Sequence, residues 1–371
     1  MEKKELFYRL ALSTIPKIGP VYAKKLLDYF GDAASVFNAA PAALMEIAGI
    51  GELRADAICR FRQFPLVEKE MAFVEKYGIR CIFFTDKDYP QRLLGFKEAP
   101  VLLYYKGTAD LNSRRIVSVI GTRRPTDYGK RMAEQLIKEL AVCGPLVISG
   151  LAYGIDAAAH TAALKHSLPT IGILGHGLDR MYPPQHKALA REMVKHGGLL
   201  THFSTGAEPA AHNFPIRNQI VAGMSDALVV VETSLDGGSM LTVDDAIAYK
   251  KRLFALPGRA TDKKSSGCNK LIQEGSARLL INGSQLSAEM GWSALEKPNK
   301  PAFEKTAAAE KNLSDNERTL LRLLGEKEKA SVDQLSAQTQ LTSTAIAMAL
   351  LNLELMGHVL SLPGKMYRLA V

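Results

Sequence analysis

Between Arg115 and Asn282, short β-rich apolar runs alternate with helical segments, and nothing else in the chain constrains its fold so tightly. The runs are Ile116–Ile120, Leu146–Ile148, Thr170–Leu174, Leu199–Phe203, Ala227–Val231, Leu253–Leu256 and Leu279–Ile281. They are apolar at most successive positions rather than at every second residue, which marks strands covered on both faces. Segments such as Lys130–Cys143 and Lys187–His196 carry helical periodicity between them. Strand–helix alternation of this kind predicts an α/β fold with a doubly wound, mostly parallel, Rossmann-like sheet.

In such sheets ligands sit beyond the carboxyl ends of the strands, so the residues that follow each strand are the candidates for function. After the first strand comes Gly121-Thr122-Arg123-Arg124-Pro125-Thr126. A dinucleotide-binding turn would carry glycines here to admit a pyrophosphate; this one carries charge. Ser149 and Gly150 follow the second strand, and Gly154 opens the next helix. The fourth strand leads to Asn213-Phe214-Pro215-Ile216-Arg217-Asn218. Gly238 and Ser239 follow the fifth, and Lys250 ends the helix after it. Backbone N–H groups at helix starts bind phosphate oxygens. Arg123, Arg124 and Arg217 offer planar forks for phosphate and Lys250 a point charge. Phe214 is placed to stack on a base and Asn218 to bond a base edge. Several phosphates in a row with open bases describe single-stranded nucleic acid.

Other chemistries fit less well. No G-x-G-x-x-G follows the first strand, which argues against a nicotinamide cofactor. Gly237-Gly238-Ser239-Met240-Leu241-Thr242 is similar to the glycine loop of phosphoribohydrolases, so a nucleotide-cleaving enzyme using Gly237-Gly238 is the alternative; the glutamate those enzymes carry next is missing, and only Asp244 and Asp245 are near. His160, His166, His176, His186, His196, His202 and His212 crowd one segment without an HxH or HxxxH pair, so no metal site is expected. Asp156 reads as a cap for the helix that follows, with His160 on its first turns. Cys59, Cys81, Cys143 and Cys268 form no CxxC, and no catalytic triad order or Walker loop is present. The expectation is a binding protein with no cofactor and no catalytic residues.

Charge supports a polyanionic partner. Of the net +9, residues 111–290 hold +6, from 21 basic against 15 acidic side chains, whereas 313–371 balance at 6 against 6. No apolar run approaches the ~20 residues that span a bilayer, and no signal-like segment opens the chain, so a cytoplasmic protein is expected.

The flanks are separate. Residues 1–65 contain a repeat: Ile15-Pro16-Lys17-Ile18-Gly19 aligns with Ile47-Ala48-Gly49-Ile50-Gly51, each before an apolar-periodic helix. This reads as a tandem helix-hairpin-helix domain that either meets phosphate or serves as scaffold. Residues 66–110 read as a connector packed on the central domain, with strands at Ile79–Phe84 and Val101–Tyr105. The central domain spans 111–286 and a linker 287–312. Residues 313–371 begin with a capping box, Ser314 to Glu317. Further helices follow at Ser331–Gln338 and Thr342–Met356, then a hairpin of Val359–Leu362 and Met366–Leu369 turning at Pro363-Gly364: a winged helix. Its candidate reading helix has no Lys or Arg, and Lys365 and Arg368 on the wing offer only weak phosphate contact, so sequence-specific reading is not expected.

These strings resemble the DprA (Smf) family of DNA-processing proteins. Gly121-Thr122-Arg123 matches the family's Gly-Ser/Thr-Arg turn. Ser149 through His160 match its Ser-Gly-x-Ala-x-Gly-Ile-Asp-x-x-Ala-His block; Asn213–Asn218, Gly238-Ser239 and Leu256-Pro257-Gly258 also match. The resemblance implies an extended Rossmann-like domain that binds single-stranded DNA, homodimerises and loads RecA recombinase in natural transformation, without catalysis. The chain departs from the pattern at Tyr153, where arginine is usual, at Thr201-His202 for Ser-Glu, at His176 for cysteine, and at Gln219 for arginine.

Overall fold

Nine strands form one sheet in the computed structural model, which describes residues 3–294, 314–325, 329–339, 341–355, 358–362 and 366–369. The chain divides into two units, Met1–Leu295 and Glu296–Val371. In the first, the strands are β1 (Arg80–Phe83), β2 (Leu102–Gly107), β3 (Ile116–Ile120), β4 (Leu146–Ser149), β5 (Thr170–Ile173), β6 (Gly197–Thr201), β7 (Ala227–Val230), β8 (Arg252–Ala255) and β9 (Arg278–Leu279). Their spatial order is β1-β2-β6-β5-β4-β3-β7-β8-β9. All pairs from β6 to β9 are parallel; β1–β2 and β2–β6 are antiparallel. The two strands of the expected connector therefore extend the central sheet itself.

Alternation along β3 shows why the sheet is wound on both faces. Ile116 and Ile120 pack in one core with Val221 and Val243, whereas Val117 and Val119 pack in another with Leu136 and Ala159. The first face is covered by α10 (Asn213–Met224) and α11 (Ser239–Ala248), joined by α12 (Ser266–Gln273). The second is covered by α7 (Asp127–Leu140), α8 (Ile155–Lys165) and α13 (Gly283–Met290). Helix α9 (Lys187–His196) precedes β6.

Strand β6 begins two residues earlier than expected, at Gly197 rather than Leu199. The two glycines pair because β2 and β5 crowd them. A Cβ on Gly198 would lie 2.6 Å from the Tyr105 hydroxyl, which itself donates to the Gly197 carbonyl at 2.8 Å.

Six helices precede the sheet: α1 (Lys3–Thr14), α2 (Pro20–Phe30), α3 (Ala33–Asn38), α4 (Pro41–Met45), α5 (Glu52–Cys59) and α6 (Phe64–Tyr77). The sequence repeat is a geometric repeat. Gly19 before α2 has φ −79°, ψ −179°, and Gly51 before α5 has φ −88°, ψ −178°. Ala23, Leu26, Leu27, Ala55 and Ile58 share one core with Phe83, Leu102 and Tyr104 of the edge strands. Each hairpin has groups that bear on phosphate contact. Pro20 removes one N–H from the first, Glu52 puts a carboxylate at the second, and Arg54 stacks on Tyr22 at 4.0 Å while bonding the Gly49 carbonyl.

The second unit holds α14 (Asp315–Gly325), α15 (Val332–Gln338), α16 (Ser343–Leu355) and strands β10 (Ala330–Ser331), β11 (Val359–Leu362) and β12 (Met366–Leu369), ordered β10-β12-β11. This is a winged helix. The Ser314–Glu317 capping box forms, with reciprocal bonds of 2.7 and 3.3 Å. Ile346, Leu350 and Leu353 are the buried stripe of α16. Most of the expected linker, Pro363-Gly364 and Lys365 lie outside the described residues. Among the described residues no helix is long and apolar enough to cross a membrane.

Candidate nucleic-acid interface

The strand order reverses at β3, which has β4 on one side and β7 on the other. Loops after β3, β4 and β7 therefore splay around one opening, a cleft of about 610 Å³. The arginine turn is its central wall, and its shape is fixed without its arginines. The Thr122 N–H donates to the Glu232 carbonyl at 2.7 Å, and the Thr126 N–H to the Glu232 carboxylate at 2.8 Å. Thr126 in turn caps α7, accepting from the Gly129 N–H at 3.1 Å. Ile155 N–H closes on the Thr122 carbonyl at 3.2 Å. Glu232 is 2% exposed, whereas Arg123 and Arg124 are both exposed. Neither guanidinium has a hydrogen-bond or ion-pair partner among the described residues; Arg123 lies over the Phe214 ring, 5.4 Å from its centroid.

Opposite this wall, α11 begins in open space. A Cβ on Gly238 would meet nothing within 4 Å, and the N–H groups of Gly238 and Ser239 have no acceptor among the described residues. The Ser239 hydroxyl is held by Thr233 at 2.7 Å. The free N–H groups and the positive end of the helix dipole favour an anion at this point. Lys263 and Lys264, in the turn after β8, line the same cleft. Sequence reasoning stopped at Pro257-Gly258 in this loop; a basic pair just before a helix was the available signal.

Several expected contacts have other employment. Ser149 is fully buried and donates to the Val119 carbonyl at 2.6 Å, so its hydroxyl is not open to a ligand. Gly154 has φ 83°, and a Cβ there would lie 2.8 Å from the Arg123 Cα, so it is glycine to let two loops touch. Lys250 is at the wrong end of the sheet: α11 starts at the cleft and runs about 15 Å away from it, and β8 begins two residues after Lys250, at the amino edge. Asp156 does not cap the helix after it; its carboxylate accepts the N–H groups of Gly150 and Ala152 at 3.1 and 3.2 Å, pinning the loop before it.

Arg217 is 5% exposed. It donates to the carbonyls of Gly150 and Ile173 and to Asn218 Oδ1, so its fork is committed to the loops that floor the cleft. Burial pushes its pKa down to about 10, against the pull of Asp156, and pushes the Asp156 carboxyl up against the pull of Arg217. Asn218 lines the cleft with its two N–H donors unpaired among the described residues, and Phe214 is half-buried beside it. Gly121, Thr122, Arg123, Arg124, Phe214, Asn218, Gly238 and Ser239 are thus brought together; Gly150 also lines the cleft, with its N–H bonded to Asp156 and its carbonyl to Arg217; Ser149, Gly154 and Lys250 are not open to the cleft, and Arg217 braces it.

The cleft's carboxylates are Asp156, tied as above, and the exposed Asp236; Asp244 and Asp245 do not line it. No cluster of three His, Cys, Asp or Glu suited to a metal occurs among the described residues. His176 is structural, its Nδ1 bonded to the Gly177 carbonyl at 2.8 Å and its Nε2 accepting the Tyr182 N–H at 3.2 Å.

The chain is thus an α/β protein with a doubly wound sheet, a cationic cleft at its switch point, a tandem helical-hairpin region before it and a winged helix after it. Residues 80–291 match the family model of DNA recombination-mediator protein A, 304–365 its winged helix domain, and 9–63 the SAM-like helix-hairpin-helix tandem. Protein Smf of Synechocystis is 31% identical over 99% of this chain and all of that protein. The X-ray structure of DNA processing protein A from Streptococcus pneumoniae aligns with a TM-score of 0.65 at 31% identity, over 76% of this chain and 96% of that one. DNA processing protein A from Helicobacter pylori, described with a single-stranded DNA binding mode, aligns with 0.54 at 30%, over 59% and 98%. The chain belongs to the DprA/Smf family.

Proposed function

We propose that this protein binds single-stranded DNA in the cleft between the arginine turn and the start of α11. The observation that carries the reading is the pairing of unpartnered donors: Gly238 and Ser239 N–H on one wall, Arg123 and Arg124 on the other, with Phe214 between. Successive phosphates can take the donors while a base stacks on the ring. The single-strand binding described for the Helicobacter pylori relative supports it. The residues proposed to contact DNA are Gly121, Thr122, Arg123, Arg124, Phe214, Asn218, Gly238 and Ser239, joined by Lys263 and Lys264. The finer reading is that a homodimer in the cytoplasm protects incoming strands and loads RecA onto them, without chemistry of its own. The recombination-mediator description of the family supports that role, and the tied state of Asp156 supports the absence of catalysis.

Incubating the protein with labelled oligonucleotides and with nucleoside monophosphates tests the choice. Binding of single strands that blunt duplex competes for poorly, with no turnover, is expected, because duplex hides base faces. Release of free base from a monophosphate would instead favour a nucleotide-cleaving enzyme at Gly237-Gly238. Equal competition by duplex would move the binding site to a flanking domain.

A further inference from the structure

A second depression lies beyond the arginine turn, between α7 and α8. At about 960 Å³ it is larger than the first. Arg123 and Arg124 belong to both, so the turn is a ridge with a hollow on each side. The second hollow has four cationic side chains, Arg123, Arg124, Lys130 and Lys165, against one carboxylate, Glu134. Glu134 is paired with Lys165, and Lys130 lies 3.7 Å from Asp127. Both pairs are exposed, and exposed pairs contribute little, so a phosphate can displace either carboxylate.

Aromatic rings bridge the two hollows. A small gap between them is lined by Arg123, Phe214, Tyr182 and Tyr153. Tyr182 is 40% exposed with its ring centroid 6.2 Å from that of Phe214. Tyr153, 38% exposed, is held from behind: its hydroxyl bonds Gln185, and its ring meets His186 edge-on at 5.2 Å and 70°. An anchored ring with an accessible side, on a cationic floor, is the equipment of a single-strand track.

We propose that the same DNA strand crosses the ridge at Arg123–Arg124 and continues into this second groove, stacking a base on Tyr153 and passing phosphates to Lys130 and Lys165. The proposal rests on the single-strand reading of the first cleft. It gives Tyr153, a departure from the family pattern, a positive role as a ring for a base.

The test compares oligothymidylates of about six and about 15 nucleotides, within the range of single-strand site sizes, by fluorescence anisotropy on the full chain. A longer oligomer gains roughly tenfold from extra registers alone, so the wild-type gain should be fiftyfold or more if bases stack and phosphates are held in the groove. Tyr153→Ala, and separately Lys130→Ala with Lys165→Ala, should cut the gain towards the register value, while Tyr153→Phe keeps it. The lysine pair should also lower the salt slope for the longer oligomer by about 1.4, at ~0.7 per phosphate. Photocross-linking from 5-iodouracil near one end of the longer strand should label Tyr153. A wild-type gain no larger than the register value, variants that retain the full gain, equal losses on both lengths, or labelling confined to Phe214 would each overturn the second groove and leave the first cleft standing. Failure of wild type to bind either length would overturn both.

Discussion

Asp156 and Arg217 hold opposite ends of one residue: the Gly150 N–H donates to the Asp156 carboxylate at 3.1 Å, and the Gly150 carbonyl accepts from the Arg217 guanidinium. A Cβ on Gly150 would sit 2.6 Å from the carbon of that guanidinium. Gly150→Ala should therefore force a buried cation off its acceptors. Overpacking together with an unmade charged hydrogen bond costs about 3 kcal/mol. Urea unfolding should register the loss; an unchanged midpoint would show that the guanidinium relocates freely and braces nothing.

His160 supplies a pH dependence. It is fully buried, and its Nδ1 lies 2.6 Å from the Thr170 hydroxyl, which already donates to the Val147 carbonyl at 3.0 Å. Nδ1 is thus the donor, and Nε2 is left without a partner among the described residues. Burial, with smaller contributions from His186 and Arg217, lowers its pKa from 6.5 to about 3. The unfolded chain takes up this proton first as pH falls, so stability is full above 6.5 and declines from there toward about 3. Between pH 7.5 and 5 the loss from this one group is about 2 kcal/mol. Thermal melts across that range should show a shallower slope in His160→Asn than in wild type; parallel slopes would remove His160 as the cause.

Removing charge from the turn should weaken DNA binding and leave the fold alone. Arg123→Ala and Arg124→Ala should each reduce the log–log salt slope by ~0.7, and the double variant by about 1.4. Melting temperatures should hold, since exposed substitutions of this kind move stability by no more than about 0.5 kcal/mol. An unaltered slope with weaker binding in Arg123→Ala would assign Arg123 to packing on Phe214 rather than to phosphate.

Gly238→Asp places a carboxylate where the anion is expected. Gly238 has φ −60°, ψ −18°, a conformation open to any residue, and its missing side chain faces empty space. An acid at a helix start adds about 0.5 kcal/mol of stability. The variant should melt no lower than wild type yet bind single strands at least tenfold more weakly. Retained affinity would mean that the start of α11 is not part of the site.

Deleting the winged helix should cost little affinity. Helix α16 carries no Lys or Arg, and the Asn352 amide donates to Glu317 at 3.3 Å. A chain ending at residue 295 is the suitable truncation, because Trp292 packs on the core beside α13. A loss of tenfold or more at moderate salt, about 1.4 kcal/mol, with assembly unchanged, would place part of the DNA site in the second unit.

The parts of this molecule that were legible in sequence are those set by local pattern. Continuous apolar runs located the parallel strands, the Ser314–Glu317 spacing formed its box, and the turn after β3 carries its arginines to the surface. Less legible was which polar groups the fold consumes. Arg217 and Ser149 look as available as Arg123 until the neighbouring carbonyls of Ile173 and Val119 are in place, and sequence spacing says nothing about those. Lys250 was misplaced by direction: a helix between parallel strands returns to the far edge, so its last residue cannot share an opening with its first. Lys263 and Lys264 were missed because their loop was read only at its proline and glycine.

Glu232 sets the arginine turn from below, through its carbonyl and its carboxylate, and Gly154 shapes it from the side; the two arginines contribute nothing to that scaffold. Architecture and affinity are therefore encoded at different positions. On the proposed reading, a lineage can drift at residues 123 and 124, lose or retune its hold on a polyanion, and still pass every test of folding. An engineer has the same freedom, because the turn is a mount whose fittings can be exchanged without rebuilding the wall.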